Sequence, residues 1–375
     1  MKQSFCNTHI LAFLKEWSAS SKPLDFSLSL YFKAHKSLGA NDRRTVGEAV
    51  YALIRWKSLF DSLDPSGSFS KQLHLLSLKP IEEYTKDLSI PEFARLGLSP
   101  FLFKKFVDAY GLETTRLMAS ILGSTAPVTL RANLLKTTRD DLLQILEPKF
   151  PVAKGKSPTS IVLSKREPLF ALPEFKAGLF EVQDEGSQLV ADLVEAKSGQ
   201  RVLDYCSGSG GKTLAIAPKM GGKGELYLHD IRAHSLKEAV LRLRRAGVQN
   251  AQILPPEHAT LKKLPGKMDW VLVDAPCSGT GTLRRNPDMK WKIDQPMIDR
   301  LIEEQRVIVK EALRYVKPGG RLVYATCSIL PEENEAQVEF FISQLGLKLE
   351  KEPLKLLPQA NGPDGFFGAV FKIGS

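Results

Sequence analysis

The sequence predicts an α/β protein: a mainly parallel, doubly wound sheet in the C-terminal half, an all-α domain at the N-terminus, and a small α/β segment linking them. Three observations predict it. From residue 199 onward short apolar runs alternate with amphipathic helical stretches, the first hundred residues carry helical periodicity with few strand signals, and β-type runs lie between. The chain has 375 residues, 43 % hydrophobic and 25 % charged, the composition of a folded protein that excludes a disordered, collagenous or fibrous chain. Its length leaves room for two or three domains.

In chain order, residues 9–14 are apolar but too few to span a membrane, and Lys15 and Glu16 follow without a small-residue cleavage site. The chain therefore reads as soluble and cytoplasmic, with no membrane partner. Asp42 opens a run over 43–60 in which Val46, Val50, Leu53, Ile54, Trp56 and Phe60 recur at helical spacing. Residues 64–70 read as a loop, and Ser99-Pro100 starts a second helical pattern over 98–117. These make a helical domain over 1–120. Residues 121–177 form the linking segment, with β-type runs at 128–132 and 161–163, a third at 178–182 on its border, and a helix over 140–146.

The third domain, 178–375, shows strand patterns at 201–204, 225–230, 251–254, 270–274 and 321–325, with helices at 235–245 and 297–316 among those between. A parallel sheet of this kind takes its ligands beyond the carboxyl ends of its strands. Chemistry-bearing residues are expected there.

The net charge of +10, from 52 Lys plus Arg against 42 Asp plus Glu, is compatible with a nucleic-acid partner. Cys6, Cys206, Cys277 and Cys327 have no paired spacing, which argues against a zinc site or a disulfide framework and leaves free thiols in a reducing compartment. No metal is expected.

After the first strand of the third domain comes Asp204-Tyr205-Cys206-Ser207-Gly208-Ser209-Gly210-Gly211-Lys212-Thr213, leading into a helix. Its glycines let backbone approach a ligand closely; a plain tight turn is the plainer alternative. A Walker A loop needs glycine where Cys206 stands, and a dinucleotide fingerprint needs glycine at Thr213. Asp230 ends the next strand, where a carboxylate can accept both ribose hydroxyls or simply cap the following helix. The combination suits an adenosine compound without a pyrophosphate, S-adenosylmethionine being the candidate.

Two later strands end in Asp274-Ala275-Pro276-Cys277-Ser278-Gly279 and Tyr324-Ala325-Thr326-Cys327-Ser328, so one crevice could hold both thiols. Carbon 5 of a pyrimidine is a poor nucleophile. A thiolate added to carbon 6 turns the ring into an enamine whose carbon 5 attacks an activated methyl, and an acid at N3, for which Asp274 is placed, assists. A base must then remove the hydrogen at carbon 5. Two cysteines could divide these tasks.

The two cysteine motifs, the loop Asp204-Tyr205-Cys206 with Gly210-Gly211-Lys212-Thr213, Arg284-Arg285-Asn286-Pro287-Asp288-Met289-Lys290-Trp291, and Glu333-Asn334-Glu335 resemble the RsmB/NOP (NSUN) family of RNA cytosine-C5 methyltransferases. The likeness extends to Gln183-Asp184-Glu185-Gly186-Ser187-Gln188, Asp364-Gly365-Phe366-Phe367 and Leu130-Arg131-Ala132-Asn133, over about residues 120–375. Asn41-Asp42-Arg43-Arg44 and the run 51–56 make the helical domain similar to the NusB-related RNA-binding domain of the family's bacterial RsmB branch.

The resemblance implies a Rossmann-like S-adenosylmethionine-dependent methyltransferase domain, a monomer acting on RNA, and small-subunit ribosomal RNA as substrate. By motif, Cys327 is the attacking nucleophile, Cys277 assists product release, Asp274 touches cytosine and cofactor, Lys212 lies beside it, and Asp230 holds the ribose. Cofactor contacts fall on Asp204, Cys206, Ser207, Gly208, Ser209, Gly210, Gly211, Lys212, Asp230 and Asp274. Arg131, Arg284, Arg285, Lys290 and Trp291 are the implied RNA contacts, with Trp291 stacking on a displaced base. A helix cluster, Arg242, Arg244 and Arg245, reads instead as a solvated face. The chain departs from the family at Ser207-Gly208-Ser209, usually Ala-Ala-Pro, and at His258-Ala259, usually Asp-Ala near adenine, so that Glu257 substitutes or adenine is held differently. Competing readings are a Cys277 nucleophile, as in DNA cytosine methyltransferases, a P-loop-like RNA-dependent NTPase, and a non-catalytic RNA-binding assembly protein.

Overall fold

A computed structural model describes residues 2–374. They form two compact units: one runs up to Thr125 and adds Thr282–Asp294, the other comprises Ala126–Gly281 and continues from Gln295.

The first unit is helical, as its periodicity predicts. Helices Lys2–Ser18, Leu24–Ala34 and Ala40–Arg55 bury Ile10, Phe13 and Leu14, then Leu24, Leu28 and Tyr31, then Val46, Val50, Leu53 and Ile54, in one shared core. Each such side chain contributes roughly 1.5–3 kcal/mol relative to exposure. The run predicted over 43–60 breaks at Trp56, after which Lys57–Leu63 continues as a separate helix. The helix Pro100–Tyr110 starts as read, with Ser99 Oγ accepting the Leu102 N–H at 3.2 Å. It ends at Gly111, whose φ of +75° starts a new helix, Leu112–Leu122.

The second unit opens with four short antiparallel strands, β1 (Val128–Ala132), β2 (Val152–Lys154), β3 (Ser160–Leu163) and β4 (Phe180–Val182), in the order β2-β3-β1-β4. The helix Arg139–Leu146 lays Leu142 and Leu146 on Leu130, Ile161 and Phe180. This linking segment belongs to the same compact unit as the larger sheet.

That sheet contains β5 (Arg201–Asp204), β6 (Glu225–His229), β7 (Ala251–Leu254), β8 (Met268–Asp274), β9 (Val316–Thr326), β10 (Lys348–Leu349), β11 (Leu354–Leu356) and β12 (Phe366–Lys372). Its order is β10-β12-β9-β8-β5-β6-β7, with β11 also paired to β12. Strands β5 to β9 pair in parallel, while β12 runs antiparallel to β9, β10 and β11. The fold is thus a Rossmann-like α/β sheet with an antiparallel edge. Strand order reverses between β5 and β8, which opens a crevice at their carboxyl ends. Leu203, Val271, Val273, Leu322, Tyr324 and Phe367 fill the core beneath it. The helix read over 297–316 ends at Leu313, because β9 already begins at Val316 and carries Gly319-Gly320 within it.

The segment Thr282–Asp294, which leaves the sheet after β8, packs in the helical unit. There Trp291 Nε1 donates to Ile54 O at 2.7 Å and Lys290 Nζ to Gly97 O at 3.1 Å. The domain read as 178–375 is therefore interrupted. No helix among the described residues is long and apolar enough to cross a membrane.

Candidate active site

A cleft of about 720 Å³ lies at the carboxyl ends of β5, β6 and β8, and most of the predicted site residues line it. After β5 the chain turns through residues 205–210 into the helix Gly211–Ile216. The turn is fixed by the Ser207 N–H to His229 O at 2.9 Å, the Gly208 N–H to Asp230 Oδ2 at 2.8 Å and the Gly210 N–H to Ser207 O at 2.8 Å. Gly210 is required twice over: its φ is +78°, and a Cβ there would stand 3.1 Å from Leu228.

Asp204 is buried at the end of β5. Its Oδ2 accepts from Thr213 Oγ1 at 2.7 Å, whereas Asp204 Oδ1 and Ser207 Oγ are buried without hydrogen-bond partners. Burial, reinforced by the charge of Asp274 and only partly offset by the Thr213 hydrogen bond, raises the Asp204 carboxyl to about 7. Unpaired buried polar atoms beside a glycine cradle fit the charged amino-acid end of an adenosyl amino acid. Asp230, just past the end of β6, lines the same cleft.

Lys212 is buried, and its ammonium forms an ion pair with Asp274 Oδ2. Burial alone would lower that ammonium; the Asp274 charge and hydrogen bond outweigh it and hold the group above its ordinary value. The Asp230 carboxylate is likewise subject to burial, which raises it, but hydrogen bonds from Arg232 and from backbone N–H groups bring it below its usual range.

The two cysteines meet in the same cleft, Cys277 Sγ standing 3.3 Å from Cys327 Sγ. The Cys277 thiol is pushed well above its ordinary range, first by its hydrogen bond to Cys327, then by burial and the charges of Cys327 and Glu333. It keeps its proton. Beneath the pair, Glu333 accepts from the Ser278 N–H at 2.9 Å, from Ser278 Oγ and from Gln305 Nε2 at 3.0 Å. Gln305 Nε2 also reaches Pro276 O at 2.9 Å, and Thr280 Oγ1 lies 2.9 Å from Ser328 Oγ. The loops after β8 and β9 are therefore bolted together by buried hydrogen bonds.

Several sequence expectations change. Arg131 is buried and holds the glycine loop, its Nη1 donating to Gly211 O at 2.8 Å and Gln183 Oε1 at 2.6 Å. Burial lowers its guanidinium to about 10, partly offset by Glu181. Arg242 and Arg245 are not a solvated face: both pair with buried Glu181, and Arg242 also donates to Ser209 O at 3.1 Å. Arg284 and Lys290 are buried and Trp291 is half-buried within the helical core, so packing occupies the positions read as RNA contacts. Arg285 is half-buried. His258 caps the turn after β7 by accepting the Thr260 N–H, and neither it nor Glu257 lines the cleft; Ile231, Ile308 and Glu311 do.

Gln305 and Arg232 are the residues that sequence reasoning missed, and Glu333, quoted there as part of a motif, was given no role. Gln305 had a signal, being polar on the helix face that buries Ile298, Leu301, Val309 and Ala312.

Comparison with known proteins places this geometry. Residues 191–372 match the family model described as 16S rRNA methyltransferase RsmB/F. A Synechocystis sp. protein, named a probable ribosomal RNA small subunit methyltransferase B, is 31 % identical over 317 residues, covering 78 % of this chain and 71 % of that one. A mouse 28S rRNA (cytosine-C(5))-methyltransferase is 32 % identical over 303 residues, covering 72 % of this chain. The chain spans only 38 % of the length of that mouse protein and 39 % of a human relative. The crystal structure of a methyltransferase homolog protein from Pyrococcus horikoshii superposes with a TM-score of 0.66 at 26 % identity, covering 79 % of this chain and 100 % of that one. Shared sequence over more than two thirds of a bacterial relative, with the family's own domain laid across the cleft, makes this chain a member of the RsmB/F family of rRNA methyltransferases.

Proposed function

We propose that this protein transfers a methyl group from S-adenosylmethionine to carbon 5 of a cytosine in ribosomal RNA, through a covalent bond between Cys327 and carbon 6 of the ring. The observation that carries the reading is the 3.3 Å approach of two free thiols in the cleft that also holds the glycine loop and Asp230. The names of the bacterial relatives point to small-subunit RNA as the substrate.

Bound S-adenosylmethionine supplies an electrophilic methyl on a sulfonium. The chain's own residues do the rest. Cys277 retains its proton and hydrogen-bonds Cys327, whose sulfur gives up its proton to solvent and adds to carbon 6 as a thiolate. The Lys212 ammonium, held charged by Asp274, offers a proton toward N3 and draws electron density from carbon 6, while Asp274 accepts from the exocyclic amine. After methylation the bond from Cys327 to carbon 6 breaks; Cys277 passes its proton to the departing sulfur, 3.3 Å away, and as the resulting thiolate takes the hydrogen from carbon 5, so that both cysteines end as thiols. The buried Glu333 network keeps both sulfurs within reach of one ring.

Bisulfite sequencing of ribosomal RNA from cells expressing the wild-type protein or Cys327→Ala tests this. One cytosine should be protected by the wild type and lose protection in the variant. Full methylation by Cys327→Ala would refute the covalent route, and no protected ribosomal cytosine in either strain would refute the substrate.

A further inference from the structure

The acceptor capacity of Asp230 is already used up. A carboxylate offers about four lone-pair sites. Here Oδ1 accepts the Arg232 N–H at 2.8 Å and Arg232 Nε at 3.0 Å, while Oδ2 accepts the Gly208 N–H at 2.8 Å and Arg232 Nη2 at 3.0 Å. Two of these donors are backbone and are built into the turn. The other two belong to one guanidinium.

We propose that Arg232 is a placeholder for the cofactor's ribose: its side chain occupies the edge of Asp230 that a vicinal diol needs, and gives way when an adenosyl ligand binds. The inference rests on the reading that Asp230 holds that ribose.

The placement explains why the latch is both needed and yielding. The Asp230 side chain is only 3 % exposed, so without a ligand its charge lacks water and needs a counter-ion. Arg232 is 58 % exposed at the mouth of the cleft, so its head group loses little packing on swinging out. It also directly precedes the helix Ala233–Ala246, where a cation opposes the helix dipole, so the pull of Asp230 is what holds it inward. A half-exposed ion pair of this kind is weak enough to be displaced. Arg232 thus sets cofactor affinity by competition and contributes no contact to the bound state.

Calorimetric titration with S-adenosylhomocysteine tests the assignment on wild type, Arg232→Ala, Asp230→Asn and the double variant. Arg232→Ala should bind about two- to fivefold tighter. Asp230→Asn should bind at least about tenfold more weakly, and removing Arg232 in that background should change nothing further. Unchanged or weaker binding by Arg232→Ala, with Asp230→Asn still impaired, overturns the placeholder role alone. Unimpaired binding by Asp230→Asn overturns the ribose assignment beneath it.

Discussion

Cys277 and Cys327 sit on loops 50 positions apart in the chain, yet their sulfur atoms lie 3.3 Å from each other. The Cys277 thiol is held well above its ordinary range, first by its hydrogen bond to Cys327 and then by burial. If Cys327 attacks and Cys277 finishes the reaction, Cys277→Ala should stall after methyl transfer. A protein–RNA adduct stable on a denaturing gel is expected for Cys277→Ala and absent for Cys327→Ala. The reverse pattern would assign the nucleophile to Cys277.

Glu333 is buried and its carboxylate takes three donors from two elements. Glu333→Ala leaves the Ser278 N–H without its acceptor and removes one acceptor each from Ser278 Oγ and Gln305 Nε2, and a loss of about 2–4 kcal/mol in unfolding free energy is expected from urea titration. Methylation should fall even at temperatures where the variant remains folded, because the cysteine loops lose their tie. Wild-type turnover by a folded Glu333→Ala protein would show that the tie is dispensable.

Arg131 carries the carbonyl of Gly211 and the side chain of Gln183. Arg131→Met should therefore raise the Kd for S-adenosylhomocysteine by about tenfold while leaving RNA affinity near that of the wild type. Filter binding of RNA and calorimetry of the cofactor product distinguish the two. A selective loss of RNA binding would restore the role expected from sequence.

Asp204, raised to about 7 by burial, binds its proton more tightly in the folded protein than in the unfolded chain. Its contribution is present below the unfolded value and lost as pH rises through about 7, so it makes the ligand-free protein less stable over that interval. A ligand ammonium favours the ionised carboxylate. Affinity for S-adenosylhomocysteine should accordingly rise from pH 6 to 8, a trend that calorimetry should find flattened in Asp204→Asn.

Lys290 is titrated in the opposite sense. Burial, with Arg55 nearby, lowers its ammonium from 10.5 to about 7. Between those values the unfolded chain carries the proton and the folded protein does not, so this group makes stability increase with pH over that range. Lys290→Met should remove that slope in urea titrations from pH 7 to 10. A slope unchanged in the variant would place the proton elsewhere.

Strand ends were the legible part of this molecule. The alternation of apolar runs and helices located β5 to β9, and the polar tails of β5, β6, β8 and β9 located the glycine loop, Asp230, Cys277 and Cys327, since in a parallel sheet those tails converge. Strands β10 to β12 were not legible, because they are short or carry glycine and pair antiparallel after long gaps. Arginine misled most. Arg131, Arg242 and Arg284 look like solvent or phosphate contacts in one dimension, and only tertiary neighbours such as Gly211 and Glu181 reveal that the protein consumes such charges internally. Arg232 left no trace, since its significance lies in counting the lone pairs of a neighbour.

The segment carrying Trp291 and Lys290 has a consequence for synthesis. The helical unit is translated before the larger sheet, but its core lacks the indole that bonds Ile54 and the Lys290 amine that bonds Gly97 until the chain has passed β8. The nascent N-terminal third must wait, incompletely closed, through translation of the linking sheet and the glycine loop. Cutting the chain near residue 125 would release no self-sufficient module: the amino-terminal fragment would lack part of its core, and the remainder would display a tryptophan and a lysine evolved for the inside.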